Sequence, residues 1–251
     1  MKKTPKSIRV IATKITGGLH TAKKMPCQDF YQYACSGNKL VAVVSDGAGS
    51  AKYGKIGAKM VCETLVNVLI NTPLKDMEQG VVRAIEKARE RLVIHRLNRS
   101  KSEEEILNFS ATVVGVAYHK NRGVFFHIGD GAGIALHGEE SGKCAYTLSR
   151  PANGQFSCET YFYTMNNWTE SLRFTKIENA NALFLMTDGV TNFALTEDMC
   201  KLKGGFIEPI YQYLKNEPSK TRALAALNNT LNTGKARKLN SDDKTFLWAE
   251  L

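Results

Sequence analysis

Apolar residues recur along this chain with two periods, and the change from one to the other lays out the elements. Residues 8–15 alternate imperfectly and predict a first strand, which Gly17-Gly18 ends. A basic loop over 20–26 follows, and Cys27-Gln28-Asp29-Phe30 leads into a short strand at 31–34. Residues 40–44, apolar and rich in β-branched side chains, predict a buried strand. The period then lengthens. Ile56, Met60, Val61, Leu65, Val68 and Leu69 fall at spacings of three and four, which predicts an amphipathic helix closed by Asn71-Thr72-Pro73. A second helix is predicted over 77–96, with Met77, Val81, Ala84, Ala88 and Leu92 on one face and a charged, solvated face opposite.

Strand patterns return after a polar loop at 100–107. Residues 109–118 and 124–130 predict a hairpin turning at Gly123, and 134–137 with 144–148 predict another, joined through 138–142. The stretch 150–170 mixes Pro, Gly, Asn and aromatic residues without a period and reads as an irregular flap. Strands at 172–177 and 182–187, helices at 205–215 and 219–231, a basic loop and a closing strand at 244–249 complete the chain. Hairpins and paired helices occupy separate blocks. The fold class is therefore α+β, with two stacked, mainly antiparallel sheets flanked by helices on both sides as a four-layer sandwich. No linker or fixed-period repeat interrupts residues 1–251, which read as one domain.

With 251 residues and 43% hydrophobic content, the chain can bury a substantial core. No apolar run approaches the roughly 20 residues that cross a bilayer, and the basic N-terminus lacks the apolar segment of a signal peptide. These features predict a soluble, cytoplasmic protein with no membrane partner, expected to be a monomer. Six scattered cysteines without a C-x-x-C pair suit a reducing compartment and argue against a zinc ribbon. The net charge of +10 comes without a nucleic-acid-binding motif, so it favours a phosphorylated or acidic partner over nucleic acid.

The candidate chemistry lies at the ends of predicted strands. Asp46-Gly47, Asp130-Gly131 and Asp188-Gly189 each follow an apolar run, and Asp242-Asp243 precedes the closing strand. Asp29 adds a carboxylate ahead of another predicted strand. One Asp-Gly after a strand is an ordinary turn. Several carboxylates at one sheet edge would repel one another unless a cation lay between them, and they read as one metal site. Aspartate and backbone carbonyl oxygens suit Mg2+ or Mn2+; zinc would call for Cys and His. Two such ions about 4 Å apart, sharing a carboxylate, would activate a water for in-line attack on a phosphoryl centre.

Three other chemistries fail on the letters. The stretch 49–56 approaches a P-loop, but Ile56 stands where Ser or Thr must meet Mg2+. An aspartyl nucleophile two residues before Asp188 is excluded by Met186. Ser50 sits in no G-x-S-x-G turn.

The motifs resemble the metal-dependent protein Ser/Thr phosphatases of type 2C. Val44-Ser45-Asp46-Gly47-Ala48-Gly49-Ser50, Ile128-Gly129-Asp130, Met186-Thr187-Asp188-Gly189 and Asp242-Asp243-Lys244-Thr245 follow that family's order, and Gln28-Asp29 resembles its early acidic pair. The resemblance implies hydrolysis of phosphoserine and phosphothreonine in protein substrates of a Ser/Thr kinase, with Mg2+ or Mn2+ as two ions and a third, looser ion of the kind bacterial members show. It implies that Asp46 bridges the ions, Gly47 offers its carbonyl, and Asp188 and Asp242 hold the second ion. Asp130 would serve a third ion, and Asp29 would act through water. Where the family usually has an arginine as phosphate anchor, this chain has Lys24, with His20 the second candidate. Gln28 in place of an acid, Gly131-Ala132 after Asp130 and Asn153-Gly154-Gln155-Phe156 in the flap resemble a divergent bacterial branch. The altered anchor supports one alternative, a pseudo-phosphatase that binds phosphoproteins, and a small-molecule phosphohydrolase is a third reading.

Overall fold

The computed structural model describes residues 8–99, 105–140, 143–152 and 160–251. In chain order the strands and α-helices are β1 (Arg9–Ile15), α1 (Gly18–Ala22), β2 (Phe30–Ser36), β3 (Lys39–Ser45), α2 (Gly54–Leu69), α3 (Met77–Arg99), β4 (Val113–His119) and β5 (Arg122–Ile128). There follow β6 (Ala132–Glu140), β7 (Lys143–Ser149), α4 (Trp168–Ser171), β8 (Arg173–Glu178), β9 (Ala182–Met186), α5 (Asp188–Ala194), α6 (Gly204–Asn216), α7 (Lys220–Leu231), α8 (Gly234–Leu239) and β10 (Lys244–Glu250). One five-stranded antiparallel sheet has the order β1-β10-β9-β6-β7, and the other has β2-β3-β4-β5-β8.

The apolar run of β3 shows why the sheets stack. Leu40, Ala42 and Val44 point between the sheets, where they meet Val114, Phe125 and Leu247. Val41 and Val43 point the other way, onto Val61, Leu65 and Ile85 of the helical layer formed by α2 and α3. A strand buried on both faces has no reason to alternate, hence its unbroken hydrophobicity. The second sheet repeats the arrangement: Phe184, Phe246 and Trp248 face Val190, Ile207 and Leu227 of α5, α6 and α7. The result is helix, sheet, sheet, helix. Among the described residues, no helix is long and apolar enough to cross a membrane.

The register sends the acidic motifs to one rim. Phe30, just after Asp29, pairs with Ser45, just before Asp46. Val113 pairs with Ile128, two residues before Asp130. In the other sheet Met186 pairs with both Ala132 and Phe246, so the end of β9, the start of β6 and the start of β10 coincide. Residues 129–131 cross from one sheet to the other at this end. Gly129 has φ +110°, and a side chain on Gly131 would strike Met186 O at 2.5 Å.

Several local expectations are corrected. The basic loop at 20–26 begins as a helix, α1, and the basic loop after 231 contains α8. Residues 188–194, between the expected strand at 182–187 and the expected helix at 205–215, form the further helix α5, with Thr187 as its N-cap. Residues 109–112 precede β4 and belong to a 3-10 turn and a bridge, Gly47 to Ala111. Of the expected flap, 153–159 lie outside the described residues, as do 100–104 of the polar loop and 141–142 of the hairpin turn. The later part of the flap packs inward: Tyr163 is fully buried and donates to Gly57 O at 3.0 Å, and α4 buries Trp168.

Gly57 is where α2 meets the 3-10 turn, and a Cβ there would lie 1.8 Å from Phe109 O. Gly57→Ala is expected to destabilise the fold by about 1–3 kcal/mol through overpacking. An unchanged urea midpoint would show that this contact is not tight.

Candidate metal centre

Five carboxyl groups from both sheets meet at the rim. Asp46 lies within hydrogen-bonding range of both Asp29 and Asp188. Asp242 acts electrostatically on Asp46, Asp130 and Asp188. Asp29 is the floor, with no exposed surface. Asp46, Asp130, Asp188 and Asp242 each keep an edge toward solvent.

Backbone contacts and threonine hydroxyls hold them. The Asp46 N–H donates to Thr112 Oγ1 (3.0 Å), its carbonyl accepts from Thr112 N–H (2.9 Å), and Ser45 Oγ donates to Thr112 O (2.5 Å). Gly47 then turns the chain against Gly54, where a Cβ would come within 2.4 Å of Gly54 C. Asp188 is the first residue of α5, and a Cβ on Gly189 would lie 1.8 Å from Asp243 O. Asp130 accepts from Thr160 Oγ1 at 2.7 Å, and the carbonyl of Gly129 accepts from Ala152 N–H and from the Arg173 guanidinium. Asp29 Oδ2 accepts from Thr187 Oγ1 (2.8 Å), which itself accepts from Thr245 N–H (2.9 Å).

The adjacent aspartates at 242 and 243 have different tasks. Asp243 is buried, and its oxygens accept from Gly17 N–H (2.7 Å) and Gln28 N–H (2.6 Å) and pair with His20 Nδ1 (2.8 Å). Its hydrogen-bonding capacity is spent tying the β1–α1 and α1–β2 connections to β10. Asp242 has one oxygen on the N–H of Asp243 (2.8 Å) and faces the other carboxyls. His20 is thus brought to Asp243. Lys24 is exposed at the end of α1 with φ +54°. It is the left-handed residue of a Schellman cap: Lys24 N–H donates to Thr21 O and Met25 N–H to His20 O.

Two further residues of the site had weak signals in the sequence. Gln28 is buried, and its Oε1 accepts from Lys55 N–H (2.9 Å), so it caps the first turn of α2. Lys244 is a fully buried lysine whose Nζ donates to Asn240 O (2.7 Å) and Asp242 O (2.9 Å). A lysine opening an otherwise apolar terminal strand was its trace in the sequence.

The electrostatics follow from this crowding. Withdrawal from water raises Asp188 to about 8, with repulsion from Asp130, Asp242 and Asp29 adding to it. Burial raises Asp29 to about 6, although the hydrogen bond from Thr187 opposes the shift. Asp46 is pushed well above the carboxylate range by burial and then by Asp29 and Asp188. Asp29 Oδ1, Asp130 Oδ1 and Asp188 Oδ1 are buried without a hydrogen-bond partner. Repelling carboxyls with unpaired, buried oxygens fit a hard divalent cation. Among the described residues, no group of three or more His, Cys, Asp or Glu side chains is arranged to hold one metal ion. The site offers carboxyl pairs instead, which suits ions that keep several waters and take only one or two carboxylates each.

A family model described as protein phosphatase 2C matches residues 16–232. Among solved structures, the serine/threonine phosphatase Stp1 from Staphylococcus aureus is similar at 15% identity and TM-score 0.67, covering 100% of this chain and 98% of that one. The catalytic domain of the serine threonine protein phosphatase PstP, in complex with 2 manganese ions, aligns at 15% identity and TM-score 0.63 over 97% and 98% of the two chains. RsbX in complex with magnesium aligns at 16% identity and TM-score 0.59 over 99% and 98%. No curated protein sequence matches the chain.

The raised carboxyls give a signed prediction for the metal-free protein. A folded-state value above the unfolded one means the folded protein binds more protons, so stability falls as pH rises from about 4 through 8. A bound divalent cation favours the carboxylate forms and reverses this. The rise in Tm on adding Mn2+ should therefore be larger at pH 8 than at pH 5. A Tm indifferent to Mn2+ at both values would remove the metal from this site.

Proposed function

Because the chain belongs to the protein phosphatase 2C family, we propose that it hydrolyses phosphoserine and phosphothreonine in protein substrates with the help of Mg2+ or Mn2+. The observation that carries this reading is the meeting of Asp29, Asp46, Asp130, Asp188 and Asp242 at one rim, where Asp29, Asp130 and Asp188 each have a buried, unpaired oxygen. Asp46, in contact with two other carboxyls, is suited to be shared between two ions, with the Gly47 carbonyl beside it. Asp188 and Asp242 would hold the second ion, and Asp130 would serve a third, looser one. When bound, the ions would supply an acidified water as nucleophile and neutralise the phosphoryl oxygens.

The chain's own groups would position and orient. Asp29, braced by Thr187, fixes Asp46 from beneath and would reach an ion only through water. Asp243 and Lys244 set the loop that presents Asp242. His20, engaged by Asp243, would steady α1 and leave phosphate anchoring to Lys24. A left-handed conformation costs a non-glycine residue roughly 1–2 kcal/mol. A lysine at the αL position of a helix cap, where glycine is the usual choice, supports a use for its charge.

Asp46→Asn should lower Mn2+-dependent turnover of p-nitrophenyl phosphate and of a phosphothreonine peptide on the order of a thousandfold, equivalent to about 4 kcal/mol. The same variant should raise the metal-free Tm by removing a carboxyl that burial and its acidic neighbours force to take up a proton on folding. Near-normal turnover by Asp46→Asn would reject the assignment. Wild-type protein that binds the peptide but never turns it over with Mn2+ would instead favour a phosphoprotein-binding scaffold.

Lys24→Gly separates anchor from cap. It should relieve the backbone strain, leaving Tm unchanged or higher, while raising KM for the phosphopeptide roughly tenfold with kcat little altered. An unchanged KM would return the anchor role to another group.

A further inference from the structure

Two cavities on the outer face of the second helical layer, of about 590 and 270 Å3, share Gly205, Phe206 and Thr230 and so form one groove. Its near end is built on elements of the metal centre. Leu239 directly precedes Asn240, whose side-chain amide donates to Asp188 O (3.4 Å), and Asn192 and Phe193 belong to α5, which starts at Asp188. Its far end runs between α6 and α7, past Pro209, Tyr213 and Leu227. Leu239 (62% exposed) and Tyr213 (46%) stand at opposite ends and rank among the most exposed large apolar side chains described. The charged residues lining the groove are Lys203 and Lys235, and no acidic side chain lines either part. Exposed Arg237 and Lys238 extend this positive rim along α8.

We propose that this groove is a docking site for a segment of the phosphoprotein substrate that carries apolar side chains flanked by acidic ones. The inference rests on the phosphatase reading above and adds a recognition element remote from the phosphorylated residue. Charge complementarity selects this occupant: an apolar floor whose charged lining is two lysines takes an acidic, apolar segment and disfavours a basic one. Because the groove begins one residue from the loop presenting Asp242, one substrate chain can engage both places, and the second contact is then intramolecular. The local sequence keeps the floor open. Gly204 and Gly205 start α6, and nothing lies within 4 Å of a Cβ placed on Gly205. Pro209 lacks the amide that would meet the Gly205 carbonyl in a regular α-helix.

The test uses the full chain with Mn2+ and a neutral phosphothreonine peptide. The peptide is assayed alone or extended at either end, through a Gly-Ser linker, by an acidic segment containing leucine and phenylalanine. The extension is expected to raise kcat/KM about tenfold through KM, the worth of burying one large apolar side chain. Gly205→Phe, which fills the groove, and the double change Lys203→Glu, Lys235→Glu should abolish that gain while p-nitrophenyl phosphate turnover stays unchanged. Fluorescence polarisation of the labelled, unphosphorylated extension is the independent reading. Binding to the wild type that is lost in Gly205→Phe supports the groove even if no phosphatase activity is found. Equal turnover of the two peptides, or binding that survives Gly205→Phe, overturns the proposal. A concentration-dependent dimer abolished by Gly205→Phe would give the groove to a second copy of the chain and would overturn it as well.

Discussion

Carboxyl groups gathered at one end of a β-sandwich repel one another, and folding has to hold them against that repulsion. Removing a charge from water costs several kcal/mol even after the protein relaxes. At this rim the cost appears as raised Asp188, Asp29 and Asp46. What resists it is a second set of polar contacts just behind the cluster. Asp243 accepts two backbone N–H groups and faces His20, joining the start of β10 to the connections on either side of α1, more than 200 residues earlier. Thr187 links Asp29 to the backbone of β10. The Lys244 ammonium lies under the same loop; burial lowers its pKa while Asp242, Asp243 and Asp29 act to raise it. Charge-assisted hydrogen bonds of this kind are about twice as strong as neutral ones, which is why so few suffice.

Close packing of backbone against backbone is the other half of the scaffold. The glycine after Asp46 is required less by the reach of a ligand than by Gly54, which lies almost in contact with it. The glycine after Asp188 is required by the carbonyl of Asp243. Each contact couples two carboxyl-bearing loops, so an error at either glycine would shift more than one aspartate. Gln28 extends the coupling to α2, because the amide that caps the helix follows directly on Cys27 and precedes Asp29. The layers are therefore tied together at the rim as well as through their apolar faces.

The helices on the second sheet serve two purposes. Their inner faces complete the core through Val190, Ile207 and Leu227, while the outer seam between α6 and α7 stays open. A seam with Leu239 and Tyr213 exposed at its ends is an unusual use of apolar surface in a chain of net charge +10. Its near end is continuous with α5 and with the loop that presents Asp242.

What the sequence determined by itself is what local pattern can carry. Apolar runs such as 40–44 and 182–187 had to be strands buried on both faces. Spacings of three and four through Ile56 and Leu69 had to form a helix. Asp46, Asp130 and Asp188, each after such a run, had to arrive at strand ends. The four-layer α+β class and the collection of carboxyls follow from these. Tertiary structure decided the rest, because it depends on partners far along the chain. Nothing local distinguishes Asp242 from Asp243; the amides of Gly17 and Gln28 do. Helices α1, α5 and α8, of 5, 7 and 6 residues, are too short to be stable alone and too short to show a period. They form because Leu19 N–H finds Ser241 O, because Val190 and Ala194 pack on the sheet, and because Thr233 caps Ala236. His20 and Lys24 lie four residues apart in one basic stretch. Only the folded α1 turns the first onto Asp243 and leaves the second exposed in a left-handed cap.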